Sequence, residues 1–115
     1  MMTQSFVEHL LFQVKPDKLD AFENLLAALK PAMAAQPGCK NLICFKRFYT
    51  FDGVELGHPP RELTKIVKCV KVFALWQFDT IEACGKANGW LMENHYKELA
   101  KLLIAPFDIN SGYEV

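Results

Sequence analysis

Three histidines are the side chains best able to move a proton near neutral pH, and each has a different setting. His9 follows Glu8 in SFVEHLLFQV, His58 lies in HPP, and His95 lies in NHYKEL, one helical turn before Leu99. A histidine beside a carboxylate within an apolar run suits a general base, and equally a hydrogen-bonded residue at the edge of a core. His95, at the border of an amphipathic stripe, suits a functional group, and equally a half-exposed helical histidine. His58 reads as a loop residue. His9 and His95 have no third ligand near them in sequence, so no metal is expected. Cys39, Cys44, Cys69 and Cys84 form neither a CxxC pair nor a zinc-finger spacing, and read as small reduced thiols. No phosphate-cradling Gly loop, nucleophile elbow or zinc motif occurs. The second chemical resource is aromatic. Phe45, Tyr49, Phe73, Trp76 and Trp90 could wall a pocket for a flat apolar molecule, or simply pack the core.

The elements that would position these groups follow from periodicity. Lys65–Phe78, KIVKCVKVFALWQF, is rich in β-branched and aromatic residues and predicts a central strand. Val70, Val72, Ala74, Trp76 and Phe78 share one face with Ile66, and Val67, Cys69, Phe73 and Leu75 share the other, so both faces need cover. Lys68 and Lys71, on opposite faces, are expected to snorkel to the sheet rim. Ser5–Val14 predicts a first strand, with Phe6, Glu8, Leu10, Phe12 and Val14 opposite Val7, His9, Leu11 and Gln13. Asp17 is the expected cap of a helix whose stripe is Leu19, Phe22, Leu26, Leu29 and Met33, which Pro31 should kink or end, although Ala32 to Ala35 could extend it. Gln36-Pro37-Gly38 stops it. Cys39–Phe51 predicts the second strand and Asp52–Thr64 a loop to the third. Asp79 and Glu82 suggest a capping box, Asn88-Gly89 an interruption, and Trp90–Ile104 a further helix with Met92, Tyr96, Leu99 and Leu103 on its stripe. Phe107–Val115 is the final strand.

The order β-α-β-β-α-α-β, with the last two helical pieces taken as one crossover, is the ferredoxin-like pattern in a single α+β domain over residues 1–115. It places a four-stranded antiparallel sheet under helices on one face only. The other face would remain greasy in water, so a homodimer paired through the sheet is expected. Hydrophobic residues make up 51% of the chain, high for a small domain, which fits a core-like interface. The 13 basic and 13 acidic residues balance, and no basic stripe interleaves with aromatics, so nucleic acid is not an expected partner. No run approaches the ~18 apolar residues of a membrane span, and the N-terminus lacks a basic n-region and cleavage site. A cytoplasmic location is the expectation.

The apolar first strand carrying Glu8, the Gln36-Pro37-Gly38-Cys39 stop and the Ala74-Leu75-Trp76 strand end are joined by two helical landmarks. These are Asp79–Ala83, opening a helix, and His95-Tyr96-Lys97 in a later one. Together they resemble the antibiotic-biosynthesis monooxygenase (ABM) family of dimeric α+β barrels. The resemblance implies a pocket between helices and sheet and dioxygen chemistry on a small aromatic or quinol substrate, with no metal or flavin. It implies His9 and His95 as base and orienting group, with Phe45, Tyr49, Phe73, Trp76 and Trp90 lining the substrate. One branch of the family degrades heme through an Asn, a Trp and a His. Those positions fall on His9, Gly85 and His95, so heme degradation is not expected, while heme binding through His95 stays as an alternative. A non-catalytic small-molecule-binding or stress-response dimer is the other.

Overall fold

Alternation along two long strands organises the chain. In the computed structural model, which describes residues 4–65 and 68–115, β1 (Phe6–Val14) and β5 (Val70–Phe78) pair antiparallel at the centre of a sheet. Phe6, Glu8, Leu10, Phe12 and Val14 are buried with Val70, Val72, Ala74, Trp76 and Phe78, while the intervening residues are half-buried or exposed. β2 (Cys39–Lys46) and β6 (Asp108–Tyr113) form the edges, giving the order β2-β5-β1-β6. That order is the ferredoxin-like one, so the expected fold class holds.

Helix α1 (Leu19–Ala34) packs on β2, and α2 (Ile81–Ala100) on β1 and β5. Phe22, Leu26, Leu29 and Met33 of α1 are buried as their spacing predicts. The start differs from expectation. Pro16–Lys18 forms a 3₁₀ turn, and Asp17 caps nothing because the helix begins two residues later. Pro31 does not end α1, which runs on to Ala34. The stop is Gly38, whose φ of +83° is left-handed and whose missing side chain admits Ala83: a Cβ would sit 2.6 Å from the Ala83 Cβ.

Three further expectations are corrected. The second strand ends at Lys46, because Arg47 and Phe48 leave the sheet; β3 (Tyr49–Thr50) then pairs with β4 (Arg61–Glu62) in a small hairpin inside the expected loop. The third strand starts at Val70, and Ile66 and Val67 lie outside the described residues. Finally, α2 is capped by Thr80, whose hydroxyl accepts from the Ala83 amide at 3.1 Å, and it passes through Asn88-Gly89 unbroken. Its buried residues are Cys84, Ala87, Leu91 and Leu99, so Met92 falls outside the stripe and is exposed. Burial against the sheet outweighs the roughly 1 kcal/mol cost of a helical glycine.

No helix among the described residues is long and apolar enough to cross a membrane. Among the described residues no helix packs on the other face of the sheet. Ile43, Leu75, His9 and Asn110 lie in register across it, and Phe45, Phe73, Leu11 and Asp108 form the next row. Ile43, Phe45 and Leu75 are 49%, 54% and 38% exposed there, so the row is bare to water in one chain.

Candidate active site

Glu8 is the one charged side chain buried in the core among the described residues. It is drawn in by parity: the apolar positions 6, 10, 12 and 14 must face the helices, and residue 8 shares their side of β1. Cys84 and Asn88, one turn apart on α2, meet it. The Asn88 amide donates from Nδ2 to Glu8 Oε1 at 3.0 Å, and the Cys84 thiol lies 3.9 Å from the same oxygen. Oε2 is buried and finds no hydrogen-bond partner among the described residues. Burial pushes the Glu8 carboxyl above the usual carboxylate range, partly offset by the hydrogen bonds from Asn88 and Cys84. Cys84 is pushed up to about 11, first by burial and then by the neighbouring carboxylate, so it stays a thiol at neutral pH.

Ser111 of β6 pairs across from Glu8, Ile109 from Leu10 and Tyr113 from Phe6, so all three lie on the helix side of the sheet. None is buried, since the helices lie over β1, β5 and β2. On α2, Gly85 follows Cys84 and is exposed; a Cβ there would meet nothing within 4 Å. Exposed Gly85 and the exposed helix-side residues of β6 flank the position of a carboxyl that is itself 3% exposed and has one oxygen without a partner among the described residues. Such a group can accept a proton from a hydroxyl laid against it, and its raised affinity for that proton brings it closer to neutral pH.

The residues expected from sequence do not form one pocket. His9 faces away from the helices, opposite in parity to Glu8, with its ring 5.3 Å from that of Phe73. The expectation that it faces a pocket between helices and sheet is therefore overturned: two successive residues of a strand cannot both point inward. Phe45 and Phe73 stack at 5.0 Å on the same uncovered face. Trp76 is fully buried on the helix side, its indole N–H donating to the Met33 carbonyl at 3.2 Å, and acts as core. Tyr49 lies exposed in the small hairpin. His95 and Trp90 sit together on α2, rings 5.2 Å apart, and His95 Nδ1 is 2.8 Å from Glu98 Oε1. His9 and His95 are on opposite sides of the sheet and cannot share a substrate. Glu8 is a site residue that the sequence motifs do not single out, although a carboxylate in step with four large apolar residues is a readable signal.

The family model for antibiotic biosynthesis monooxygenase matches residues 5–46, which carry β1, α1 and β2. Over that stretch, a little over a third of its length, the chain is similar to that family. Among solved structures, Rv0793 from Mycobacterium tuberculosis is 16% identical, with 96% of this chain and 95% of that one covered and a TM-score of 0.69. Protein SO0527 from Shewanella oneidensis is also 16% identical, covering 96% and 91%, with a TM-score of 0.66. A monooxygenase from the gene ActVA-Orf6 of Streptomyces coelicolor, in complex with the ligand nanaomycin D, is 14% identical, covering 97% and 88%, with a TM-score of 0.63. At these identities the likeness is one of fold. No curated protein matches the chain by sequence.

Proposed function

We propose that the chain is a monooxygenase that oxidises a small electron-rich phenol or quinol with dioxygen, and that Glu8 takes the substrate's hydroxyl proton. One observation carries this reading: among the described residues the core holds a single carboxyl, and one of its oxygens has no hydrogen-bond partner. The phenolate then supplies the electrons. One oxygen atom enters the ring at a C–H position to give the quinone, and the other leaves as water with the hydrogens of that C–H and the O–H. No external reductant is needed, which suits a family whose members generally act without a cofactor. His95, on α2, is the candidate orienting group.

Oxygen uptake with a panel of phenols and dihydroxyaromatics tests the reading. Wild type should consume oxygen, and Glu8→Gln should lose about 10²–10⁴ of the rate, the span of a general base. Equal rates in the two would remove Glu8 from the chemistry. Saturable binding with no uptake by wild type would favour the non-catalytic binding dimer. Heme at His95 has one supporting contact, the Glu98 carboxylate on Nδ1, which would leave Nε2 to face iron. A Soret band that His95→Ala does not alter would exclude it.

The homodimer belongs to the same proposal. The uncovered row of Ile43, Leu75, Phe45 and Phe73 is apolar and flat, and a second copy presents the same surface in return. His9 then lies in the interface and not in the active site. Sedimentation should give a dimer, and Phe45→Glu, which sets a charge amid that row, should give a monomer. A wild-type monomer at micromolar concentration would refute the pairing.

A further inference from the structure

A second cleft, of about 440 Å³, lies at the other end of the central strands, where the β3–β4 hairpin, the start of β5 and Ile104 beyond α2 meet. Arg47, Lys65, Lys68 and Lys71 line it, Phe48 and Leu63 supply apolar wall, and no aspartate or glutamate does. Lys68 and Lys71, expected to snorkel to the sheet rim, share one opening there with two more cations, in a chain whose net charge is zero. Among the described residues none of the four is within 4 Å of a carboxylate, whereas Lys46 pairs with Glu23 and both His58 and His95 have glutamate partners.

The walls are tied together. The Arg47 amide donates to the Lys71 carbonyl at 2.9 Å, Leu63 to Phe48 at 2.6 Å, and Ile104 to Gln13 at 2.9 Å, so three separate segments are fixed around the opening. Like charges gathered on one fixed rim repel one another unless an anion sits among them. The volume falls within the small-molecule range. Gln13 is five residues along β1 from Glu8, roughly 17 Å at strand rise, so this site is distinct from the surroundings of Glu8.

We infer that this cleft binds a small organic anion carrying two negative charges on oxygen, a phosphate monoester or a dicarboxylate, with its apolar part against Phe48 and Leu63. The planar guanidinium of Arg47 grips two oxygens at once and the lysines neutralise the remainder.

Calorimetric titration of the full chain with phenyl phosphate, inorganic phosphate and succinate tests this, each against sodium chloride at matched ionic strength. Saturable binding of phenyl phosphate or succinate is expected, at least tenfold weaker in Arg47→Gln/Lys71→Gln. Inorganic phosphate should bind more weakly than phenyl phosphate, since it leaves the apolar wall empty. The tighter of phenyl phosphate and succinate identifies the head group. Should the double variant not fold, Lys68→Gln alone should weaken binding at least threefold. Responses no larger than chloride gives, or affinities unchanged in a folded variant, would overturn the inference. Neither outcome bears on oxygen uptake at Glu8, which is read in a separate assay.

Discussion

Replacing Glu8 by glutamine should make the protein more stable at neutral and alkaline pH while lowering the proposed oxygen uptake. The sign follows from the burial. The folded-state affinity of Glu8 for its proton is raised above the ordinary carboxylate value near ~4.3, chiefly by desolvation. A group shifted in that direction imposes no penalty below its unfolded value, where both states are protonated. The penalty accrues as pH rises from the unfolded value to the folded one, because over that span the unfolded chain has ionised and the folded carboxyl still holds its proton, and it is constant above. Glutamine has the same shape, still accepts from Asn88, and never ionises. Its advantage should therefore be near zero at pH 4 and climb with pH as far as the folded value. The scale is that of a buried polar group short of a partner, about 1–3 kcal/mol. With about 2.1 cal/mol/K per residue of unfolding entropy, each kcal/mol moves Tm by roughly 4 °C in a chain of this length. Paired thermal melts from pH 4 to pH 9 should show the variant pulling ahead by about 4–12 °C at the alkaline end. A constant offset across that range, or a variant that falls behind as pH rises, would refute the buried, proton-holding carboxyl.

Three structural predictions accompany it. Gly38→Ala forces a left-handed backbone on alanine and drives its Cβ into Ala83, which is fixed to α2; a loss of about 2–4 kcal/mol should appear in urea melts. Trp76→Phe removes the hydrogen bond to the Met33 carbonyl and part of a fully buried ring, and should cost about 1–2 kcal/mol by the same measurement, with the fold retained. Thr80→Ala deletes the side-chain cap of α2 and should cost about 1 kcal/mol, whereas Asp79→Ala, at the position read from sequence as the cap, should cost much less.

Sequence alone determined the periodic parts. Two strands with large apolar residues at every second position, and a helix with Phe22, Leu26, Leu29 and Met33 on one stripe, could be read because burial imposes its period directly on the chain. The element order then implied the ferredoxin-like sheet and its uncovered face. Tertiary structure decided what depends on partners distant in the chain. Which of Glu8 and His9 faces inward was settled by the helices that cover one side of β1, and Cys84 and Asn88 reach Glu8 from some eighty residues away. Asn88-Gly89 reads locally as a break, yet α2 continues through it because the sheet beneath rewards an unbroken helix. Arg47 and Lys71 become neighbours only when β2 leaves the sheet beside the start of β5. Local pattern reports which surface a side chain seeks; the chemistry beside it is set by whichever distant segment arrives there.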